Sequence, residues 1–229
     1  MLMIENVEVL GWEHAIRGMR NPLESWGRID SYQPHCLCCQ RGDATEPYEE
    51  HDITVLPYVL GESDHDLMMR LAKAGPVHAK YRRMITVYAD IMAPLYWWKE
   101  FDTYKVGTVA SSCSTMHKIH AKQFVLDDFS HEHLTDATVC ALRETVDTLN
   151  FWRAKYDSAD SETLRKECWW QLIQLLPSSY NQRRTIMLNY EVLANIYKWR
   201  RDHKLDEWRA FCCWAAGLPY SELIVGDAL

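Results

Sequence analysis

The chain has 229 residues, 48% hydrophobic and 25% charged, a composition that fits one globular domain with a sizeable core or two small domains. Its net charge is −7 at pH 7 and its pI is about 5.8, and because DNA or RNA binding requires a basic face, we expect no nucleic-acid polymer as a partner. No stretch reaches the ~18 apolar residues of a membrane span, and Glu5, Glu8 and Glu13 interrupt the segment where a signal peptide would be apolar, so we expect a cytoplasmic protein that does not bind membranes.

The first quarter of the chain predicts one strand followed by an irregular segment. Residues 4–13, IENVEVLGWE, alternate apolar and polar side chains, which is typical of a strand. From about 21 to 61 the chain is rich in Pro, Asp, Glu and Gly, which indicates an irregular insertion. Within it, the run His35–Cys39, HCLCC, lacks the second ligand pair of a tetrahedral zinc site, so we expect loop thiols and no bound metal.

The next segments predict a helix, a strand and an aromatic helix. Residues 63–75 have a helical pattern, and Ser63 with Asp66 forms a potential capping box at its start. Alternate positions of 82–91 are apolar, which indicates a second strand. Pro94 then favours the start of a helix that carries the sequence YWWKEFDTY.

The second half of the chain predicts helices. Apolar side chains recur near the 3.6-residue period over 134–156, 161–175, 181–201 and 204–216. We therefore expect all 229 residues to form a single α+β domain, with a small, mainly antiparallel sheet and a predominantly helical second half.

One polar stretch in the middle of the chain could carry chemistry. The run Ser111–Thr115, SSCST, offers several hydroxyls, which suit either a phosphate-binding segment or a polar turn. Cys113 would need a nearby base to act as a nucleophile, and His117 and His120 are candidate catalytic residues close by in sequence. The chain has no Gly-rich phosphate loop, no G-x-S-x-G and no H-E-x-x-H, so it lacks the common nucleotide and hydrolase motifs.

Asn189 and Arg200 form the clearest polar pair in the predicted helix 181–201. They are eleven residues apart, about three turns, so their side chains point the same way on a helix. An Asn on the apolar side of a helix needs a hydrogen-bond partner, and an Arg there favours an anion. Alternatively, Arg200 and Arg201 only complement the negative end of the helix dipole.

The last third of the chain resembles the flavin-dependent thymidylate synthases, the ThyX family. The residues that stand at the family's spacing are Leu176-Pro177, Asn189, Leu193 and Arg200, and DEWRAF follows as a W-E-like step. The resemblance implies a ThyX-like fold, contact of Asn189 with FAD, and contact of Arg200 with a uridine nucleotide such as dUMP. It also implies a homo-oligomer, a tetramer in which subunits share sites.

The defining motif of that family, R-H-R-x-x-S-x-N-x-x-S-x-R, is changed in this chain. Aligned on the preceding aromatic step, its first three positions fall on Lys99, Glu100 and Phe101, and only Lys99 keeps the charge. Its last position falls on Ser111. The alignment implies that Lys99 contacts the cofactor and that Ser111 and Ser112 contact the substrate, while Glu100 would repel a phosphate.

Three functions fit these observations. The first is a flavin-dependent thymidylate synthase-like enzyme that binds FAD and methylates dUMP at C5 or catalyses a diverged nucleotide reaction. The second is a non-catalytic ThyX-fold module that binds a nucleotide, or binds a protein through the aromatic helix around Trp97. The third is a different chemistry on residues 111–120 of the same scaffold. Because a fold does not fix a function, the changed motif leaves the first two close, with the enzyme slightly ahead.

Overall fold

The chain folds around a four-stranded antiparallel sheet whose strands come from both halves of the sequence. The computed structural model describes residues 1–34 and 57–226. The strands are β1 (Met3–Leu10), β2 (Thr86–Pro94), β3 (Val109–Ser112) and β4 (Asn181–Asn189). The helices are α1 (Trp12–Arg20), α2 (Glu62–Lys73), α3 (Leu95–Phe101), α4 (Asp136–Asp157), α5 (Glu162–Leu175), α6 (Tyr190–Arg200), α7 (Asp206–Ala216) and α8 (Glu222–Val225). Short 3₁₀ helices cover Asn21–Leu23, Trp26–Arg28, Ala79–Met84 and Leu126–Asp128.

The sheet has the strand order β1-β2-β4-β3, and all its neighbouring strands are antiparallel. The longest pairing joins β2 to β4, with Thr86 opposite Asn189 and Pro94 opposite Asn181. Because side chains alternate between the two faces of a strand, every second residue enters the core. The buried apolar residues of this face in β2 and β4 are Val87, Ala89, Ile91, Ala93, Ile186 and Leu188. The sheet and the helices that follow confirm the predicted α+β fold.

Five of the predicted helices are present as α2, α3, α4, α5 and α7. Ser161 is the N-cap of α5, and its hydroxyl accepts a hydrogen bond from the Leu164 N–H at 3.2 Å. The strands predicted over 4–13 and 82–91 are β1 and β2. In the predicted insertion, residues 21–34 contain two short 3₁₀ helices. Residues 35–56, which include His35–Cys39, lie outside the described residues.

The capping box predicted at the start of α2 is wrong. Gly61 is the N-cap of this helix, and no side chain of the helix caps it. The carboxylate of Asp30 instead accepts the N–H groups of Ser63 at 2.8 Å and Asp64 at 3.0 Å. The exposed N–H groups of the helix are thus satisfied by a residue distant in sequence, which a local motif cannot indicate.

The single helix predicted over 181–201 is also wrong. Its first part is the strand β4, and only Tyr190–Arg200 is helical. In β4, Ile186 and Leu188 are buried whereas Arg183 and Thr185 are exposed, a period of two that matches a strand between β2 and β3. Pairing with strands on both sides therefore decides the local structure over helical propensity.

The aromatic side chains of α3 belong to the core of the chain. Trp97, Trp98 and Phe101 are at most 1% exposed. Trp97 packs against Trp208 and Phe211 of α7, with ring centroids 4.8 and 5.7 Å apart. The hypothesis that Trp97 lies on a partner surface is therefore wrong, because its side chain is fully buried within its own chain.

A second hydrophobic cluster lies beneath the antiparallel pair α4 and α5. It is separate from the main core and is completed by the segment between β3 and α4. Its buried members are Ile119, Phe124, Phe129, Leu142, Val146, Leu149 and Leu172. A bridge between Phe129 and Tyr180, just before β4, connects this cluster to the sheet.

None of the helices in the described part of the chain combines the length and the apolar composition of a membrane span.

Candidate functional site

Arg200, the last residue of α6, lies in a cluster of polar and aromatic side chains from three elements. Its Nη1 donates to Glu100 Oε2 at 3.0 Å, and its Nε donates to the Tyr104 hydroxyl at 2.9 Å. The guanidinium also lies over the Trp208 ring, 4.9 Å from the centroid, a cation–π contact. The cluster thus holds the predicted substrate-binding arginine through a carboxylate, a phenol and an indole.

Glu100 is the centre of this cluster. Its Oε2 also accepts the Trp208 indole N–H at 2.9 Å, and His203 Nε2 lies 3.6 Å away. Trp208 is fully buried, whereas the side chain of Glu100 is 36% exposed. Glu100 is therefore partly exposed to solvent and occupies hydrogen-bond donors that would otherwise suit an external anion.

Asn189 lies at the other end of α6 and caps it. Its Oδ1 accepts the Val192 N–H at 3.0 Å, and its Nδ2 lies 3.5 Å from the Gly107 carbonyl oxygen. Gly107 has φ of +79°, and a Cβ there would lie 2.9 Å from Asn189 Nδ2, so this close approach requires glycine. The side-chain oxygen of Asn189 is thus already engaged by its own helix.

Asn189 and Arg200 contact the same loop after α3 and do not lie side by side on one face of a helix. They stand at opposite ends of α6, about 16 Å apart along its axis. Both contact the segment that follows α3: Arg200 contacts Tyr104, and Asn189 contacts Gly107. A ligand that touches both would lie along this segment.

Lys99 is exposed on α3, next to Glu100. Within residues 1–34 and 57–226, no hydrogen bond or ion pair holds its ammonium group. It is therefore available to an anion on the surface of α3.

Ser111 and Ser112 point to opposite faces of the sheet. Ser111 pairs with Thr185, and Ser112 pairs with Arg184 on the face that α3 covers. Arg184 confirms the orientation, because its Nη1 donates to Asp102, just after α3, at 2.7 Å. Only Ser112 therefore lies on the α3 side, and a ligand on that face would not contact the Ser111 side chain.

The rest of the SSCST run forms a polar turn. The hydroxyl of Ser114 accepts the N–H groups of Met116 at 3.2 Å and His117 at 2.9 Å. His120 stacks on Tyr156 with ring centroids 4.2 Å apart. These contacts favour the turn over the phosphate-binding alternative.

The sequence did not indicate three side chains of the site as functional candidates: Tyr104, His203 and Trp208. Tyr104 contacts Arg200, and Trp208 and His203 contact Glu100, so these contacts join residues far apart in the chain, and no short-range pattern indicates them. The only local signal was Trp208, which belongs to the DEWRAF stretch.

Metal binding has no geometric support in the described ranges. There, no group of three or more His, Cys, Asp or Glu side chains is arranged to hold a metal ion.

Comparison with known proteins establishes the fold. No protein-family model and no curated protein sequence matches the chain. Solved structures do match. One is flavin-dependent thymidylate synthase ThyX from Helicobacter pylori, complexed with FAD and dUMP. The alignment has 13% identity and a TM-score of 0.64, and it covers 100% of this chain and 99% of that one. A second structure, thymidylate synthase X from the same organism with FAD and dUMP, matches with 14% identity and a TM-score of 0.62, covering 99% and 98%. The chain therefore has a ThyX-like α+β fold.

The donor groups of the site suit a nucleotide, but its carboxylate does not. Arg200 supplies hydrogen-bond donors of the kind that phosphates and uracil oxygens accept, whereas within residues 1–34 and 57–226 no hydrogen bond or ion pair joins Lys99 or Ser112 to its cluster. Glu100, however, already holds the guanidinium of Arg200. The fit is therefore partial, and an anion could take the position of Glu100 beside Arg200 only after Glu100 moves aside.

Proposed function

We propose that this protein is a diverged, flavin-dependent thymidylate synthase-like protein that binds FAD and a uridine nucleotide such as dUMP. The observation that carries the proposal is the match of fold over the whole chain to two ThyX structures that contain FAD and dUMP. The position of Asn189 and Arg200 along one loop supports it.

In this proposal each polar residue of the site has a separate part. Asn189 and Lys99 contact the flavin cofactor, and Arg200 contacts the uridine nucleotide. Ser112 is the serine that a nucleotide on the α3 side would meet, while Ser111 would require a ligand that reaches the other face of the sheet. FAD, when bound, supplies the redox chemistry, and the chain contributes orientation and charge.

The proposed reaction is C5 methylation of dUMP or a diverged reaction on a related nucleotide. The aromatic wall of Trp208 and Tyr104 would exclude water from one side of Arg200 and hold its guanidinium in a fixed direction. The fixed guanidinium of Arg200 would orient a bound nucleotide.

A non-catalytic, nucleotide-binding protein of the same fold is the second candidate. The observation that favours it is the ion pair of Glu100 with Arg200. Glu100 stands where the alignment to the ThyX motif has a histidine, and its negative charge would repel the phosphate of a nucleotide. In both candidates the ligand is a small nucleotide. We also expect the protein to be a homo-oligomer, with the tetramer as the expected form, and to be cytoplasmic.

The absorbance spectrum of freshly purified protein tests the flavin part of the proposal. We expect an absorbance band at about 450 nm, or its appearance after incubation with FAD. A melting-temperature rise with dUMP tests the nucleotide part, since a ligand that binds only the folded state stabilises it. A protein with neither response contradicts the proposal, and binding without turnover of dUMP selects the non-catalytic candidate. The Arg200→Ala variant should lose the response to dUMP.

A further inference from the structure

We propose that Glu100 is a built-in competitor of anionic ligands, and that it determines how strongly the site selects a nucleotide over its uncharged nucleoside. The inference rests on the proposed function for the identity of the nucleoside, but its geometry stands alone. The donors that converge on Glu100 Oε2 come from Arg200, Trp208 and His203.

These donors form a cradle for an anion. The guanidinium of Arg200 and the indole N–H of Trp208 lie 3.0 and 2.9 Å from the same carboxylate oxygen. A phosphate oxygen would make the same two hydrogen bonds from the same position. The buried indole N–H of Trp208 needs an acceptor, because an unsatisfied buried donor is costly. Glu100 supplies that acceptor when no ligand does.

The solvent exposure of these side chains shows how a phosphate would replace the Glu100 carboxylate. Trp208 is fully buried and belongs to the main core, so the cradle is rigid on that side. Glu100 is the most exposed member, at 36% of its side chain, against 22% for Arg200 and 24% for His203. Its carboxylate can rotate towards solvent without opening the core.

The chemistry predicts the selectivity. A phosphate and the Glu100 carboxylate are like charges that cannot occupy one cradle together. Binding of a phosphate between Arg200 and Trp208 must therefore displace Glu100, whereas an uncharged nucleoside need not. The native chain should consequently gain little affinity from the 5′-phosphate of dUMP over deoxyuridine.

The variants Glu100→Gln and Glu100→Ala test the inference, with Asp102→Ala as a matched control. Asp102 is also a carboxylate at the end of α3, but it pairs with Arg184, so its removal changes the net charge equally without touching the cradle. Calorimetry with dUMP and deoxyuridine should show the affinity ratio rising about tenfold in both Glu100 variants and staying unchanged in Asp102→Ala.

Inorganic phosphate provides a probe that is independent of uridine recognition. In millimolar phosphate, the melting temperature of the Glu100 variants should rise relative to a chloride control, and that of the native chain and Asp102→Ala should not. The double variant Glu100→Ala with Arg200→Ala should lose the gain. Glu100→Gln retains an acceptor for Trp208, so it keeps the test valid should Glu100→Ala not fold.

The outcomes separate this inference from the proposed function. Folded Glu100 variants with an unchanged phosphate response overturn the inference, as does an equal gain in Asp102→Ala. If no protein in the set binds dUMP or deoxyuridine, the proposed function fails, while the phosphate response still decides the role of Glu100.

Discussion

Arg20 and Asp64 form an ion pair inside the molecule. Arg20 Nε donates to Asp64 Oδ1 at 2.6 Å, and the two side chains are 3% and 0% exposed. The second carboxylate oxygen of Asp64 accepts the N–H groups of Asp30 and Ser31, both at 3.0 Å. The pair thus joins α1 to α2, and Asp64 also fixes the backbone at Asp30 and Ser31.

Removal of one partner of this pair should be strongly destabilising. We expect Asp64→Ala to lower the free energy of unfolding by about 3–5 kcal/mol, because it leaves the guanidinium of Arg20 buried without its counter-charge. Urea denaturation measures the loss. The control is Asp157→Ala, which breaks the half-exposed pair with Arg153 on α4 and should cost under ~1 kcal/mol. Equal losses in the two variants would contradict the expectation.

Among single residues, the sequence indicated Asn189 and Arg200 as candidate site residues but not what holds them. Their spacing is visible in the sequence, whereas the contact of Arg200 with Glu100 depends on how α3 packs against α6 and α7. The capping role of Asn189 was missed for a different reason: the residue stands where a strand ends and a helix begins. Its side chain therefore turns back to the first N–H groups of α6.

The start of α2 depends on the charge of Asp30, which makes it sensitive to acid. Burial tends to raise the pKa of the Asp30 carboxyl, but hydrogen bonds from the backbone N–H groups of Ser63 and Asp64 outweigh this and lower the pKa below its ordinary value of 3.8. A lowered pKa in the folded state means that the stabilisation is complete above the ordinary pKa of 3.8 and is lost as the pH falls through the lower folded value.

We therefore expect Asp30→Asn to be less stable than the native chain at pH 7, and the difference to shrink as the pH falls below about 4. Urea midpoints between about pH 3 and pH 7, a range that spans the ordinary carboxyl pKa, measure this difference. A difference that is constant with pH would show that the ionised carboxylate is not what stabilises the helix. Asp136→Asn, in the exposed first turn of α4, is the control.

Helix α3 is fixed by its aromatic side chains. We expect Trp97→Ala to lower the free energy of unfolding by about 3–5 kcal/mol, because it leaves a cavity between Trp208 and Phe211. Chemical denaturation measures this. Trp199, which is 67% exposed, provides the control, and its Ala variant should change stability by less than ~0.5 kcal/mol. A Trp97 variant of native stability that loses only its assembly would restore the partner-surface hypothesis.

At the element scale, amphipathic helices were predictable and the strand β4 was not. The apolar stripes of α4 and α5 repeat over many residues, so their period identifies them. In β4 only Ile186 and Leu188 alternate clearly, and the helical pattern of the following segment extends back over them. The identity of β4 is decided by its two neighbouring strands, which are distant in sequence.

Residues 1–34 and 57–226 form two hydrophobic clusters of unequal size. The larger one joins the sheet to α3, α6 and α7, and the smaller one lies under α4 and α5. Since local stability follows buried contacts, the smaller cluster should open more readily. We expect amide hydrogens of α4 and α5 to exchange faster than those of β2 and β4 under native conditions. Hydrogen exchange with mass spectrometry measures this, and equal protection throughout would instead show that both clusters unfold as one unit.

The pairing of β2 with β4 also governs the order in which the chain can fold. During synthesis, β1 and β2 leave the ribosome early, but β2 cannot complete its second edge until Asn189 has been added. Until then that edge offers unpaired N–H and C=O groups to any other strand it meets. Slow, non-local pairing of this kind prolongs the exposure of the edge. A newly made chain should therefore depend on chaperones or low concentration until its last third has emerged, although the finished protein shields both edges of β2.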